Sequence, residues 1–351
     1  MTIKEIAKEL NISIGTIDRV IHNRGRVSAE TRARVEAYLR EIGFVPNRNG
    51  QALAASARKR KLAIILPFHE DDIIPFNKRL LEGLQSSYGS LEDANIEVRE
   101  FLHKYTLGSD LLTILDEAEE WQADAFIILS KHDTILTQRL QKLQSAGALI
   151  ITLNTDLPNS QRQYFVGYDN YAGGRVAMQM LSYMLGSKGR ILVLAGSQEE
   201  ESHYQRLQGA LSYLREELPY IELLNILYEG EAYSLSADIF CGEAAPDGVL
   251  ALSVQGAHVA DLVNQAQSNR TTRIGVFDSL DIHEEYLRNR RIDFIIDQDP
   301  LSQSKKAISR VRNHFLFSNV KQSEKWFSRN TVILRENLNS FAEIEPPTRK
   351  F

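Results

Sequence analysis

Ser13-Ile14-Gly15-Thr16-Ile17-Asp18-Arg19-Val20, read with its flanks from Thr2 to Gly43, decides the architecture of this 351-residue chain. Thr2-Ile3-Lys4-Glu5 has the form of a capping box, with Thr2 as N-cap and Glu5 reaching back to it. Ile3, Ile6, Ala7 and Leu10 follow at helical spacing and make one apolar face. Asn11 breaks that helix, Ile12 plugs the turn and Ser13 caps a second helix. In the second helix Ile17, Val20 and Ile21 face inward, leaving Ile14, Gly15, Asp18, Arg19 and His22 outside. Gly25 ends it. Ser28 caps a third helix whose Val35, Leu39 and Ile42 cover the first two, and Gly43 stops that one. Three short helices with a tight turn between the first two have the form of a helix-turn-helix, whose second helix enters the DNA major groove. The competing reading is a small helical bundle with no role on DNA.

Charge separates the two readings. Residues 1–60 hold twelve Lys/Arg against six Asp/Glu, a net of +6, while the remainder holds 29 against 40, a net of −11. A basic head on an acidic body is the footprint of phosphate attraction confined to one end. The single cysteine, Cys241, rules out a disulfide framework and a cysteine-based zinc site. The N-terminus reads as a capped amphipathic helix and not as a signal peptide, and no apolar run approaches membrane-spanning length. A cytoplasmic protein with no membrane partner is the expectation.

After Pro46, Asn47 can cap a helix through Ala52-Leu53-Ala54-Ala55, made marginal by Gly50 and by its length. The basic run Arg58-Lys59-Arg60-Lys61 reads as a connector that folds on DNA. From Leu62 onward apolar runs of strand length alternate with amphipathic helices. They fall at 62–66, 96–98, 125–129, 149–153, 164–166, 191–194, 249–252, 274–277 and 294–296. That alternation predicts parallel sheets covered on both faces, with ligands beyond the carboxyl ends of the strands. The polar residues after those strands are rich in Asp, Asn, Gln and Ser, and Arg206 can join them from the start of its helix. Paired acceptors and donors of this kind suit hydroxyl recognition, and Phe76 offers a wall for a sugar ring.

With these residues in view, the chain strongly resembles the LacI/GalR family of bacterial transcription regulators. Thr2–Ala7, Thr16–Ile21, Val27–Arg32 and Gly43–Asn47 are similar to its head. Ile151–Asp156, Val166–Arg175 and Gly275–Asp278 resemble its effector domain, and Ile295–Pro300 is similar to the ribose-type periplasmic binding proteins. The resemblance implies an all-α helix-turn-helix head with a hinge helix, then an α/β effector domain of two doubly wound parallel-sheet subdomains. The head would span 1–46 and the hinge and linker 47–61. The effector and dimerisation domain would span 62–351, with a first subdomain of about 62–157 plus 299–326 and a second of about 158–298 plus 327–342.

The resemblance also implies site residues. DNA contacts fall at Ser13, Ile14, Gly15, Thr16, Arg19, His22, Asn23, Asn47, Leu53 and Ala54, with Leu53 wedged into a central minor-groove step. Effector contacts fall at Phe76, Asn77, Lys131, Asn154, Asp169, Arg206, Ser253, Asp278 and Gln298. Gly15 removes one usual base contact, Asp18 and His22 replace a usual Ser and Asn, and Asn154 replaces a frequent Asp. Docking therefore carries over, while operator and sugar identity do not. The expectation is a regulator, acting as a repressor, of double-stranded operator DNA. It is a homodimer controlled by a sugar or polyol in the interdomain cleft, with no catalytic residues, metal or cofactor. No heptad run marks a tetramerising tail, and Glu343–Phe351 is expected to be exposed. The alternatives are a regulator answering a phosphorylated metabolite or a protein partner, or an α/β enzyme with a DNA-binding head. For the last, no GxSxG, P-loop or HExxH motif appears. His132, His203, His258 and His283 lack ligand spacing and read as surface or capping residues.

Overall fold

Three short helices open the chain in a computed structural model that describes residues 3–21, 25, 27–44, 48–68, 75–103, 108–131, 133–266, 271–317 and 324–340. The expectations placed on Thr2, His22, Asn23, Asn47, His132 and the tail from 343 lie outside these residues. Helix α1 is Ile3–Glu9, α2 Ile14–Ile21 and α3 Ala29–Glu41. Asn11 turns the chain at φ 51°, and the Ser13 hydroxyl accepts the Thr16 amide at 3.2 Å. Ser28 caps α3 in the same way through Thr31. Ile6, Ala7, Leu10, Ile17, Val20 and Val35 form the small core. Arg34 adds a bond that periodicity does not suggest, donating to the Leu10 carbonyl at 2.7 Å and tying α3 to the end of α1.

Helix α4 is Arg48–Ser56. Nine residues with a glycine hold a helix poorly alone. Here Ala52 and Ala55 pack against the first core of the body, and Asn95 donates to the Ser56 carbonyl at 2.9 Å. Leu53 points away and is 76% exposed.

The body alternates strands and helices: β1 (Arg60–Pro67), α5 (Pro75–Gln85), α6 (Gly89–Glu92), β2 (Ile96–His103), α7 (Gly108–Glu120), β3 (Ala125–Ile128), α8 (Thr134–Ser145), β4 (Leu149–Asn154) and β5 (Tyr164–Gly167). It continues with α9 (Asn170–Leu185), β6 (Gly189–Gly196), α10 (Glu201–Glu217), β7 (Ile221–Tyr228), α11 (Glu229–Ala232), β8 (Gly248–Ala251), α12 (Gly256–Gln265) and β9 (Arg273–Phe277). The last elements are α13 (Asp281–Arg288), β10 (Phe294–Asp297), α14 (Pro300–Phe317), β11 (Glu324–Phe327) and β12 (Thr331–Ile333). Two six-stranded sheets result, ordered β11-β5-β4-β3-β1-β2 and β12-β10-β9-β8-β6-β7. Every pairing is parallel except β10 with β12. Strands such as β3, β8 and β10 are buried along their whole length, as expected where helices cover both faces. Among the described residues no helix is long and apolar enough to cross a membrane.

The chain passes between the sheets after β5, β10 and β11. Two expectations are corrected here. Residues 158–167 were assigned to the second subdomain, but β5 pairs with β4, so the first crossing comes after Gly167. The hinge and linker were assigned to 47–61, but the last two residues of that span already belong to the body. Arg60 and Lys61 open β1. Arg60 reaches Asp124 at 2.8 Å, the Lys61 amide meets the other Asp124 oxygen at 3.0 Å, and Lys59 pairs with Glu97 at 2.9 Å. Carboxylates of the body thus neutralise much of that run.

The two halves repeat one plan. Strands β4 and β9 hold the same place in their sheets, and the residues at their ends, Asn154 and Asp278, both adopt left-handed backbone, at φ 61° and 67°. Asp169 and Asp299 each cap the helix that follows a crossing strand, accepting from Ala172 and Ser302. Non-glycine residues held in this region mark positions where the surroundings override local preference.

Helices α9 and α10 approach closely at two glycines. A Cβ on Gly174 would lie 1.9 Å from the Arg206 carbonyl oxygen, and one on Gly209 would lie 2.0 Å from that of Tyr171. Neither backbone can yield cheaply. Gly209→Ala is therefore expected to lower stability by about 1–3 kcal/mol. Chemical denaturation checks it; an unchanged midpoint would mean that the helices do not meet at this separation.

Candidate effector cleft and nucleic-acid face

On α2, Ile17 and Val20 are buried, which fixes the helix rotation. Ile14 is 48% exposed, and Gly15 and Arg19 are exposed beside it. A Cβ on Gly15 would meet only the Arg19 guanidinium, at 3.9 Å. Ser13 and Thr16 are bound to each other at the helix start, their hydroxyls 2.8 Å apart. The structure thus groups Ser13, Ile14, Gly15 and Thr16 at the start of α2, with Arg19 one turn on and its guanidinium reaching back over Gly15. Leu53 stands exposed on α4, which also carries Ala54.

The strand ends of the two sheets face a cavity of about 640 Å³. On the side of the first sheet it is lined by Lys131, Asn154, Thr155, Asp156, Pro158, Phe165, Lys325 and Phe327, and opposite them by Tyr168–Asn170, Glu199–Ser202 and Gln205. Phe165 and Phe327 meet edge to face at 5.7 Å between centroids. Burial alone would raise Asp156, but hydrogen bonds from Arg162 and Lys325 outweigh it and hold its carboxyl below the usual carboxylate range. The contacts are 2.5 and 2.7 Å from Arg162 and 3.0 Å from Lys325. Lys131 bridges the cleft, reaching Glu200 at 2.8 Å and Glu199 at 3.9 Å.

Behind the cavity wall lies a polar cluster built around Arg206, which is 3% exposed. Its Nε donates to Asn170 Oδ1 at 2.8 Å and one terminal nitrogen donates to the Leu252 carbonyl at 2.9 Å. The guanidinium lies 4.5 Å from the centre of the Phe277 ring. Burial pulls the Arg206 pKa down, opposed by the charge of Asp278. Gln298 donates to Asp278 Oδ1 at 2.5 Å. Asn154 Oδ1, the Tyr168 hydroxyl, Ser253 Oγ and Gln298 Oε1 are buried in or beside this cluster without a hydrogen-bond partner among the described residues. Unpaired buried polar atoms are costly, so their concentration here marks a place built for a polar guest. A second contact between the halves lies nearby. Arg79 on α5 donates to the Ser279 carbonyl at 2.7 Å and approaches Asp297 at 3.3 Å.

Of the nine expected effector residues, Lys131, Asn154 and Asp169 line the cavity, and Arg206, Ser253, Asp278 and Gln298 lie in or beside the polar cluster. The other two sit elsewhere. Phe76 packs in the first core with Leu66 and Leu80 instead of forming a ring wall, because α5 begins at Pro75 and turns it toward the sheet. Asn77 donates to the Pro67 carbonyl at 3.1 Å, tying α5 to the end of β1. Sequence reasoning missed Tyr168, Phe165, Phe327, Arg162 and Lys325, and placed Asp156 and Asn170 only among the polar residues after strands without assigning them a contact. Asn170 had a signal, since it follows a crossing strand beside Asp169.

Two of the scattered histidines clamp loops, one from a buried and one from a half-buried position. His283 is fully buried and its Nδ1 lies 2.8 Å from the Asp278 carbonyl. A carbonyl only accepts, so Nδ1 carries the proton. His203 Nδ1 accepts the Ser197 amide at 3.0 Å, and burial, then repulsion from Arg206, pushes its pKa down to about 3. The folded pKa lies below the unfolded value of about 6.5, so the unfolded chain binds more protons between the two. Stability from this residue is complete above about pH 6.5 and is lost as pH falls toward 3. His203→Asn keeps an acceptor and does not titrate. At pH 5 it is expected to recover about 1–2 kcal/mol relative to its effect at pH 7, measured by urea denaturation; parallel pH profiles for both proteins would contradict this.

Residues 2–47 match the family model for bacterial regulatory proteins of the lacI family, and residues 111–315 match that for the periplasmic binding protein domain. The ribose operon repressor of Lactococcus lactis is 26% identical over 215 residues, covering 61% of this chain and 60% of the relative. The regulator RafR of Escherichia coli is 31% identical over 216 residues, covering 62% and 61%. The chain thus spans about six tenths of the length of these relatives. Among solved structures, a transporter solute-binding protein from Burkholderia graminis in complex with D-arabinose superposes with a TM-score of 0.70 at 18% identity, covering 81% of this chain and 98% of that one. One from Actinobacillus succinogenes with bound D-allose gives 0.70 at 18%, covering 81% and 100%. At such identities the likeness concerns the fold. The chain belongs to the periplasmic binding protein domain family, and its residues 2–47 form a head similar to that of the bacterial regulatory proteins of the lacI family.

Proposed function

We propose that this protein is a sequence-specific DNA-binding transcription regulator, a repressor, whose operator affinity is set by a sugar or polyol in the interdomain cleft. It works as a cytoplasmic homodimer, so that two heads meet the half-sites of a near-palindromic operator. The observation that carries the reading is α4. This helix joins the head to the body, packs Ala52 and Ala55 on the first core and leaves Leu53 76% exposed. A leucine exposed to that degree on a docked connector is well placed to wedge into a minor-groove step.

The body supports the second half of the reading. Lys131–Glu200 and Arg79–Asp297 are contacts between the two halves, so the cleft closes or opens as a unit. Gln298, bound to Asp278, immediately precedes α14, against which α4 rests. A ligand that binds one cleft arrangement better shifts the population toward it, and α4 is the element placed to report the shift. Binding stabilises a native state by an amount that grows with the logarithm of ligand concentration over Kd. A thermal-shift screen of neutral sugars, polyols and sugar phosphates on the full chain therefore tests the effector half. Stabilisation by sugar phosphates alone would favour the phosphorylated-metabolite reading.

A further inference from the structure

We propose a second ligand site, separate from the cleft, which takes an uncharged, single-ring planar molecule carrying a hydrogen-bond acceptor. It lies at the turn between β6 and α10, in a cavity of about 270 Å³. Ser197 and Gln198 line it from that turn, His203, Tyr204 and Leu207 from α10, and Tyr228 from the end of β7. None of these residues lines the cleft, to which the same stretch of chain gives Glu199–Ser202 and Gln205.

The two cavities differ in chemistry. Lysines and carboxylates line the cleft. Every side chain around the smaller cavity is uncharged at neutral pH, since burial and then repulsion from Arg206 hold His203 in its neutral form. An ionised ligand would be desolvated there without a compensating charge. The volume falls below the range of about 300–1,000 Å³ usual for drug-sized ligands, which limits the guest to one ring. Tyr204 and Tyr228 offer aromatic rings from separate elements, and Leu207 adds an aliphatic side chain. Such rings favour a flat aromatic guest by stacked or edge contact.

His203 supplies the polar anchor. Gly196, at φ 79°, has no side chain to hold the imidazole away, and a Cβ there would lie 2.7 Å from Nδ1. The ring closes on the end of β6, and Nδ1 accepts the Ser197 amide at 3.0 Å. An amide only donates, so the single proton of the neutral ring sits on Nε2, at the opposite edge. That N–H has no hydrogen-bond partner among the described residues, and it stays accessible because His203 is only half-buried. The cavity thus presents one donor of fixed tautomer among largely apolar surfaces. A carbonyl oxygen or an unprotonated ring nitrogen is its complement.

The test is saturation-transfer NMR of the full chain at about pH 7, where His203 is neutral. The probes are benzamide, nicotinamide and cyclohexanecarboxamide, the last keeping the amide on a ring that is not flat. At least one aryl amide is expected to bind with Kd of about 1 mM or tighter, and at least about fivefold more tightly than cyclohexanecarboxamide. In protein with nitrogen-labelled histidine, the His203 Nε2 resonance moves on titration. Gln198→Trp fills the mouth of the cavity and Tyr204→Ala removes one ring. Both positions are exposed, so the fold is retained, and each variant weakens binding at least about fivefold. The site is overturned by no binding of either aryl amide, by equal binding of cyclohexanecarboxamide, by an unmoved His203 resonance, or by unchanged affinity in either variant.

Discussion

Arg206→Ala is expected to lower stability by about 2–4 kcal/mol, through two lost charge-assisted hydrogen bonds, and to abolish the response to effector. Arg206 is held on several sides, by Asn170, by the Leu252 carbonyl and by the face of Phe277. Asp278 is 6% exposed, and the charge of Arg206 opposes its own. Removing the guanidinium leaves that carboxylate buried without its counter-charge and strips partners from two more acceptors. Buried acceptors that lose a charged donor keep their desolvation cost, and the Asp278 carboxylate loses a favourable charge nearby although it makes no direct salt bridge to Arg206. Arg206→Lys keeps the charge and loses the fork, so it should retain more stability while still weakening effector binding. The measurement is urea denaturation with calorimetric titration of the same samples. Near wild-type stability in Arg206→Ala would mean that Asp278 is compensated elsewhere.

Leu53→Ala is the second large effect, and its signature is the reverse. The side chain is 76% exposed, so stability should change by no more than about 0.5 kcal/mol. Operator affinity should fall by about tenfold to a hundredfold, since a wedge recovers the unstacking of a base step only through the leucine itself. Arg19→Ala should give a loss of similar size, about 1–3 kcal/mol if it reads a base edge. If Arg19 binds phosphate alone, the salt dependence of binding flattens instead. Unchanged affinity in both variants would remove the assigned DNA contacts.

Much of the head was legible because its determinants are local. Ser13 and Ser28 bind amides three residues ahead, and a buried Ile17 and Val20 fix which residues α2 exposes. The central strands were legible because burial on both faces leaves continuous apolar runs. Strands β7 and β11 were not, since both lie at sheet edges and are mostly half-buried or exposed, which leaves no continuous apolar run. Arg60 and Lys61 read as part of a connector because their partner Asp124 is more than sixty residues away. Phe76 was misread for a related reason: a residue after a strand can turn to the cleft or to the core, and helix packing decides. Arg206, Asp278 and Gln298 were legible as strand-end and helix-start polar residues, but their junction through Asn170 and Phe277 is a product of the fold. Tyr168 passed as part of a motif, and its unpartnered hydroxyl is visible only in three dimensions.

The central claim is that ligand occupancy of the cleft and DNA binding by the head are coupled through α4. The most direct measurement selects a duplex in vitro with the full chain. The labelled duplex is then titrated by fluorescence anisotropy with and without a saturating sugar taken from the thermal-shift screen. The account predicts that the sugar weakens binding at least about fivefold, the lower end of typical coupling between sites, and that Leu53→Ala removes most of that difference. Superimposable isotherms with and without a sugar that demonstrably occupies the cleft would contradict it.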